Sequence, residues 1–310
     1  MTSENDHRFP PTGRFSPLRY PGGKGKLAKF VKSIVQLNGL SDGLYVEPYA
    51  GGAAVAWELL LTGVVRRVVV NDLSRPIHAF WKSVLDDTDA LCRLIEKTPV
   101  TLAHRDKAKR VFSKPDDHDD LKLGFATFFL NRTHRSGILN GSVIGGRDQS
   151  GEWKIDARFN KPELIERIRR IAAHRRRIKL FNVDAVSLLE GHSSEWGAKT
   201  LVYLDPPYFE KGGRLYYNSY RAGDHSDVAK AISALERHRW IVSYDDVSAI
   251  HLLYRRHAWL RYSIGYSART QASGREAMYF SDGLKIPAAE VPMVEVSRKA
   301  RVGGRVRWAT

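Results

Sequence analysis

The chain has 310 residues, 43% of them hydrophobic, enough for one large domain with an insertion or for two domains. Its 50 Lys and Arg against 34 Asp and Glu leave a net charge of +16, a balance suited to a polyanionic partner such as nucleic acid. The lone Cys92 excludes an internal disulfide and a cysteine-based zinc site, which fits a reducing cytoplasm, and Glu47 and Glu58 interrupt the best apolar run, so no membrane span is expected.

Residues 1–14 are polar and contain acids, unlike a signal peptide, and read as a disordered start. Pro17-Leu18-Arg19-Tyr20-Pro21-Gly22-Gly23-Lys24 follows, a Pro-Gly-Gly turn leading into a helix with Leu27, Phe30, Val31, Ile34 and Val35 on one face. Backbone amides at such a start bind anions well, and Lys24 adds a cation for a carboxylate; an ordinary turn is the other reading.

Leu44-Tyr45-Val46-Glu47 reads as a strand, Pro48-Tyr49-Ala50-Gly51-Gly52 as a glycine turn, and 53–60 as a helix, the first half of a nucleotide-binding βαβ unit. The glycines do not follow G-x-G-x-x-G, so a dinucleotide is not indicated. A second strand, Arg67-Val68-Val69-Val70, ends in Asn71-Asp72. Asp72 is placed either to accept both ribose hydroxyls of an adenosine moiety or to cap the helix that follows Ser74.

From about 80 to 174 the alternation of strands and helices breaks off, with two or three helical patterns expected. The acidic run 116–120 matches no calcium-loop spacing and reads as a solvated loop before a helix carrying Leu121, Leu123, Phe125, Phe128 and Phe129. Directly after come Asn131-Arg132-Thr133-His134-Arg135-Ser136-Gly137 and Asn140, then Gly145-Gly146-Arg147, Trp153-Lys154 and Arg158-Phe159-Asn160-Lys161. Cations and amides on glycine-punctuated backbone, interleaved with aromatics, suit phosphate contact and base-edge readout. The segment 161–179 holds eight Lys or Arg, with Leu164, Ile165, Ile168 and Ile171 as the buried stripe of a helix whose other face is positive.

Ile178-Lys179-Leu180-Phe181 resumes the alternation, and Asp184 either caps the next helix or accepts an adenine amino group. Leu201-Val202-Tyr203-Leu204 is a buried strand halted by Asp205-Pro206-Pro207-Tyr208. The lone pair of an adenine amino group is delocalised into the ring, so its alkylation needs a carboxylate to accept one N–H and a fixed carbonyl to accept the other. Asp205 and the Pro206 carbonyl, stiffened by Pro207, supply both, and Tyr208 supplies a stacking ring. A plain Asp-Pro-Pro turn is the alternative. The loop 211–221, with Tyr217 and Asn218, suits a wedge that holds DNA open around a flipped base. A helix is expected over 225–237, a strand at Trp240-Ile241-Val242-Ser243-Tyr244-Asp245, strands at 260–267 and 276–281 forming a hairpin, and a basic tail over 286–310.

In order, Tyr20-Pro21-Gly22-Gly23-Lys24, Glu47-Pro48-Tyr49-Ala50-Gly51-Gly52, Asn71-Asp72, Asp184 and Asp205-Pro206-Pro207-Tyr208 resemble the motifs of the Dam-type class of DNA adenine N6-methyltransferases, over about 15–283. The resemblance implies an α/β fold, a Rossmann-like S-adenosylmethionine-dependent methyltransferase sheet with a mainly helical target-recognition insertion. The catalytic domain would span 15–80 and 178–285, and the insertion 81–177. It further implies S-adenosylmethionine as methyl donor, with Tyr20 and Lys24 at its methionine end, Glu47, Tyr49, Ala50, Gly51 and Gly52 along it, Asp72 on the ribose and Asp184 on the adenine. Asp205, Pro206, Pro207 and Tyr208 would orient the target amine, with Asp205 also beside the cofactor. Duplex DNA would meet Arg132, Arg135, Asn140, Lys154, Arg158, Lys161, Tyr217 and Asn218.

No metal is called for, no membrane partner is expected, and a monomer in the cytoplasm is the expectation. The segment after Asn131-Arg132 differs from that with which the best-known members read GATC, so that specificity does not carry over. The same chemistry on RNA, or a catalytically silent nucleic-acid-binding protein, are the alternatives; methylation of a protein glutamine would favour Asn where this chain has Asp205.

Overall fold

The computed structural model describes residues 15–19, 24–209, 220–264, 274–287, 298–299 and 308–309. A 3-10 turn, Lys24–Leu27, runs into α1 (Ala28–Leu37), which buries Ala28, Phe30, Val31, Ile34 and Val35 as the spacing predicts. Then come β1 (Leu44–Glu47), α2 (Ala54–Leu61), β2 (Arg67–Asn71) and α3 (Arg75–Asp86). Helices α4 (Thr88–Lys97), α5 (Leu102–Phe112), α6 (Asp120–Thr133) and α7 (Lys161–Ala172) separate β2 from β3 (Ile178–Phe181). After β3 come α8 (Ala185–His192), β4 (Thr200–Leu204), α9 (Ala222–Ser233), β5 (Arg239–Asp245), α10 (Ser248–Leu253), β6 (Ala258–Ile264) and β7 (Gly274–Phe280). Short strands β8 (Ile286–Pro287), β9 (Arg298–Lys299) and β10 (Trp308–Ala309) close the described chain.

The main sheet has the order β3-β2-β1-β4-β5-β7-β6-β9. Pairs from β3 through β5 are parallel, and β7 enters antiparallel between β5 and β6. Chain order therefore reverses between β1 and β4, and the crevice outside the carboxyl ends of strands at such a point is where α/β sheets bind ligands. The expected hairpin is the β6–β7 pair. Part of the expected basic tail is strand: β9 pairs with β6, and β10 pairs with β8.

Alternation along the strands divides the core. Tyr45, Val68, Val70, Leu201, Tyr203 and Ile241 face one apolar layer with residues of α1 to α7, while Val46, Val69, Val202, Leu204 and Val242 face another with α8 to α10. The segment from about 80 to 174 holds four whole helices, α4 to α7, where the sequence suggested two or three. Helix α5 was hidden by its four Lys and Arg, since its apolar contacts reduce to Ala108, Val111 and Phe112 around a buried Arg105. The boundary expected at 80/81 falls inside α3, whose Phe80 and Trp81 are both fully buried. Phe80 stacks on Phe128 of α6 at 5.6 Å, and Phe159 closes on Phe128 at 5.4 Å, so the inserted helices extend the same core as the sheet.

Candidate active site

Asp205 follows β4 directly, and its carboxylate is gripped from two sides. Ser243 of β5 donates its Oγ hydrogen to Oδ1 at 2.8 Å, and Lys24 Nζ lies 3.1 Å from the same oxygen. Tyr203, two residues earlier on β4, hydrogen bonds Ser243 through its hydroxyl at 3.0 Å. Phe209 N donates to Asp245 Oδ1 at 2.9 Å, anchoring the chain just beyond Tyr208. Tyr208 is buried, and Lys24 Nζ stands 2.7 Å from its hydroxyl and 5.3 Å from its ring centroid, at the hydroxyl end of the ring rather than over its face.

Lys24 also lies 2.8 Å from Oε2 of Glu276 on β7 and 3.4 Å from the hydroxyl of Tyr262 on β6. Burial pulls the Lys24 pKa down, yet the two carboxylates more than offset it and the net shift is upward. Burial raises Asp205 above the usual carboxylate range despite Lys24. For Glu276 burial also pushes upward, but Lys24 and the hydroxyls of Tyr208 and Tyr262 outweigh it, and the group stays below its ordinary value.

At the neighbouring strand ends, Asn71 stitches three loops together: its amide donates to Pro48 O at 2.9 Å and Val183 O at 3.0 Å, and its Oδ1 accepts Val183 N at 3.0 Å. Asp72 accepts Gly51 N on Oδ2 at 2.8 Å and Ser74 N on Oδ1 at 2.9 Å. It closes the turn that leads into α3, without capping the helix itself, and pins the glycine turn at once. Burial raises its pKa to about 6, against the pull of those two amides. The turn's carbonyls are held from behind, Gly51 O by Trp81 Nε1 at 2.8 Å and Gly52 O by Ser16 Oγ at 2.6 Å. Ala53 then takes a left-handed φ of 47°, which costs a non-glycine residue about 1–2 kcal/mol, so the α2 entry is strained.

Glu47 is buried and its Oε2 accepts Ala56 N at 3.3 Å, inside α2. Tyr49 hydrogen bonds Tyr220 through the two hydroxyls at 2.8 Å. Asp184 caps α8, accepting Val186 N at 2.9 Å and Ser187 N at 3.3 Å. It also borders a cavity of about 570 Å³ whose wall includes Leu73, Tyr220 and Asp224.

A model of the D12 class N6 adenine-specific DNA methyltransferases matches residues 20–267. The chain belongs to that family. It is an adenine-specific DNA methyltransferase, and membership implies S-adenosylmethionine as the methyl donor and DNA as the substrate. The type II methyltransferase M.MjaIII of Methanocaldococcus jannaschii is 24% identical over 226 residues, covering 68% of this chain and 74% of the relative. Among solved structures, protein PH1948 from Pyrococcus horikoshii covers 86% of this chain and 87% of its own at 10% identity and TM-score 0.40. The rRNA methyltransferase aviRa from Streptomyces viridochromogenes covers 81% and 83% at 12% identity and TM-score 0.33. No described helix of this methyltransferase is long and apolar enough to cross a membrane.

The methyltransferase's candidate recognition stretch leaves α6 at Thr133. Asn131 at its root is fully buried: Oδ1 accepts Arg19 N at 2.7 Å, and Nδ2 donates to Arg19 O at 2.7 Å and Gly137 O at 2.9 Å. Gly137, at φ +76°, lies so close that a Cβ there would stand 2.3 Å from Arg19 O. Arg19 is thus bolted to this stretch. Buried Arg105 donates Nε to His134 Nε2 at 2.9 Å; burial and that guanidinium hold His134 near a pKa of about 4, hence neutral.

The cations expected to meet DNA fall into two groups. Arg132 donates to Arg158 O and Pro17 O, Lys161 Nζ donates to Glu96 O and Thr98 O at the end of α4, and Lys154 Nζ donates to Gln149 O. All three side chains are engaged with this chain's own backbone. Arg135 and Asn140 are exposed, and the Arg158 guanidinium lies 5.2 Å from the ring centroid of the exposed Trp153. Tyr20, Tyr217 and Asn218 lie outside the described residues.

Sequence reasoning missed Glu276, Tyr262, Ser243 and Asn71. Glu276 carried a usable signal: it is the one acid in Glu276-Ala277-Met278-Tyr279-Phe280, a run buried throughout. A charge in such a strand needs a partner.

Proposed function

We propose that this methyltransferase acts on an adenine flipped out of duplex DNA, in one direct transfer, with Asp205 and the Pro206 carbonyl orienting the amino group and Tyr208 flanking the base. The observation that carries this reading is the fixing of Asp205 at the end of β4 by Ser243 and Lys24, both on Oδ1. Oδ2 then faces no competitor for an N–H of the amine among the described contacts. A carboxylate held in advance costs no reorganisation when the nitrogen's charge develops.

When bound, S-adenosylmethionine supplies an electrophilic methyl group. Asp205 draws one amino hydrogen, the Pro206 oxygen draws the other, and the lone pair is left pointing away from the ring plane. Asp205 accepts the proton that the methylated nitrogen sheds. What supports a cofactor place beside it is the row Glu47, Tyr49, Ala50, Gly51, Gly52 and Asp72 at the switch point, followed by a cavity that joins Leu73, Asp184 and Tyr220. There Asp72 suits the ribose and Asp184 the adenine, with Tyr20 and Lys24 toward the methionine end. For DNA, we assign direct contact to Arg135, Asn140, Arg158, Tyr217 and Asn218, and the shaping of the reading surface to Arg132, Lys154 and Lys161, the residues of α4 to α7 and their loops forming the insertion.

The test is methyl transfer from labelled S-adenosylmethionine to unmethylated duplex DNA and, in parallel, to total RNA, with the modified nucleoside and its flanks identified. N6-methyladenine at one short duplex motif is the expected product. Label in RNA alone would overturn the partner, and label on another base would overturn the role given to Asp205.

A further inference from the structure

Strand register sets Glu276 between Asp245 of β5 and Tyr262 of β6, at the edge of the amine site. Its side chain is 1% exposed, and that of Lys24 is 12% exposed. A carboxylate so deeply placed is retained only when paired and hydrogen-bonded, and both conditions hold here. Lys24 Nζ is 2.8 Å from Glu276 and 3.1 Å from Asp205, so one ammonium serves two carboxylates and stands nearer the one that has no part in orienting the amine.

We infer that Glu276 is a positioning residue for methyl transfer: it draws the Lys24 ammonium to one side, so that the ammonium rests on Oδ1 of Asp205 and leaves Oδ2 to the amine. This rests on the reading of Asp205 as acceptor of the target amine. Without Glu276, Lys24 has a single carboxylate left and closes on Asp205, competing with the amine for the same lone pairs. Without Lys24, Asp205 and Glu276 become like charges in one buried site and share a proton.

The other titratable groups facing this centre do not supply the same effect. Tyr45 on β1, Tyr203 on β4, Tyr244 on β5 and Tyr262 on β6 are held neutral far above neutrality, chiefly by burial. Glu47 on β1 is pushed up by burial. Lys24 is the one cation recorded against Asp205 among the described residues.

Two measurements test the inference. In lysine labelled at 13Cε, the Lys24 resonance, assigned by its loss in Lys24→Met, titrates above the surface lysines in the wild type and about one unit or more lower in Glu276→Gln. In methyl transfer, the acid limb of kcat moves to lower pH in Glu276→Gln, with kcat reduced and cofactor affinity kept, and to higher pH in Lys24→Met, by about one unit or more each. Loss of packing alone would lower kcat without moving either limb. Glu276→Asp keeps the charge on a shorter stem and gives an intermediate kcat; it also serves if Glu276→Gln fails to fold. An unchanged Lys24 midpoint, or acid limbs that stay put while the wild type methylates DNA, overturns the positioning role alone. A wild type that methylates no adenine overturns the activity reading, and that failure shows in a separate assay.

Discussion

Around Asp205 charge is turned inward, with Lys24, Asp205 and Glu276 packed against one another beneath the hydroxyls of Tyr208 and Tyr262, whereas along 131–160 charge is tied to backbone, paired at the surface as in Arg147 with Asp106, or left facing solvent. Both regions carry cations, and the difference lies in what answers them. In the amine site the partners are carboxylates that fix one geometry before substrate arrives, so a lost partner leaves a buried charge uncompensated. In the candidate recognition stretch the partners of Arg132 and Lys154 are carbonyls that shape the loop, and on the proposed reading Arg135 and Arg158 are left for a phosphate or a base edge.

The sharpest way to break this contrast is Asp205→Ala, which should lower kcat by about 10³-fold or more while cofactor affinity, read by calorimetry, stays within a few fold. Transfer at near wild-type rate would remove Asp205 from the chemistry. Next in size is Asp72. Its pKa of about 6 stands above the ordinary 3.8, so the unfolded chain ionises first, and the contribution of this group to stability declines as pH rises between those values. Ribose hydroxyls need the ionised form, so cofactor affinity should rise about tenfold per pH unit up to roughly 6 and then level off. Asp72→Asn should flatten that profile and weaken binding by about 10–100-fold at pH 8. A profile already flat in the wild type would leave Asp72 as a tie between two turns alone.

The two arginines of the recognition stretch sharpen the contrast from the other side. Arg135→Ala should weaken duplex binding and reduce the slope of log affinity against log salt by about one, with melting temperature unchanged. Arg132→Ala should cost about 1–2 kcal/mol of stability through its lost ties to Arg158 O and Pro17 O, measured by denaturant unfolding. If the two variants behave alike, the division between shaping and reading cations fails. Lys161→Ala should show the smallest effect, about 1 kcal/mol from uncapping α4 at Glu96 and Thr98, with no change in the salt slope.

Residues whose meaning is set by local backbone were legible in advance. An Asp-Pro-Pro run ends a strand wherever it occurs, a glycine turn between strand and helix builds the same half-unit, and the unbroken apolar run Val68-Val69-Val70 fits a strand buried on both faces. Asp72 and Asp184 each offered capping and ligand roles; Asp184 caps α8 and borders the cavity, while Asp72 ties the glycine turn to the turn before α3. Arg132, Lys154 and Lys161 were expected to meet DNA, and nothing in the order of residues says which carbonyl also lies within reach of each long side chain.

The sequence by itself determined the alternation of strands and helices, the strand-end positions of Asp72, Asp184 and Asp205, and the excess of positive charge, since each follows from local periodicity, turn chemistry or composition. Only the tertiary structure decided that Lys24 joins Asp205 and Glu276, residues 252 apart in the chain in the case of Lys24 and Glu276. It also decided that Asn131 bolts Arg19 to the recognition stretch. Such pairings depend on strand order and on β7 entering antiparallel beside β5, and the physical reason is that contact across a sheet is set by register between distant segments, which no local pattern encodes.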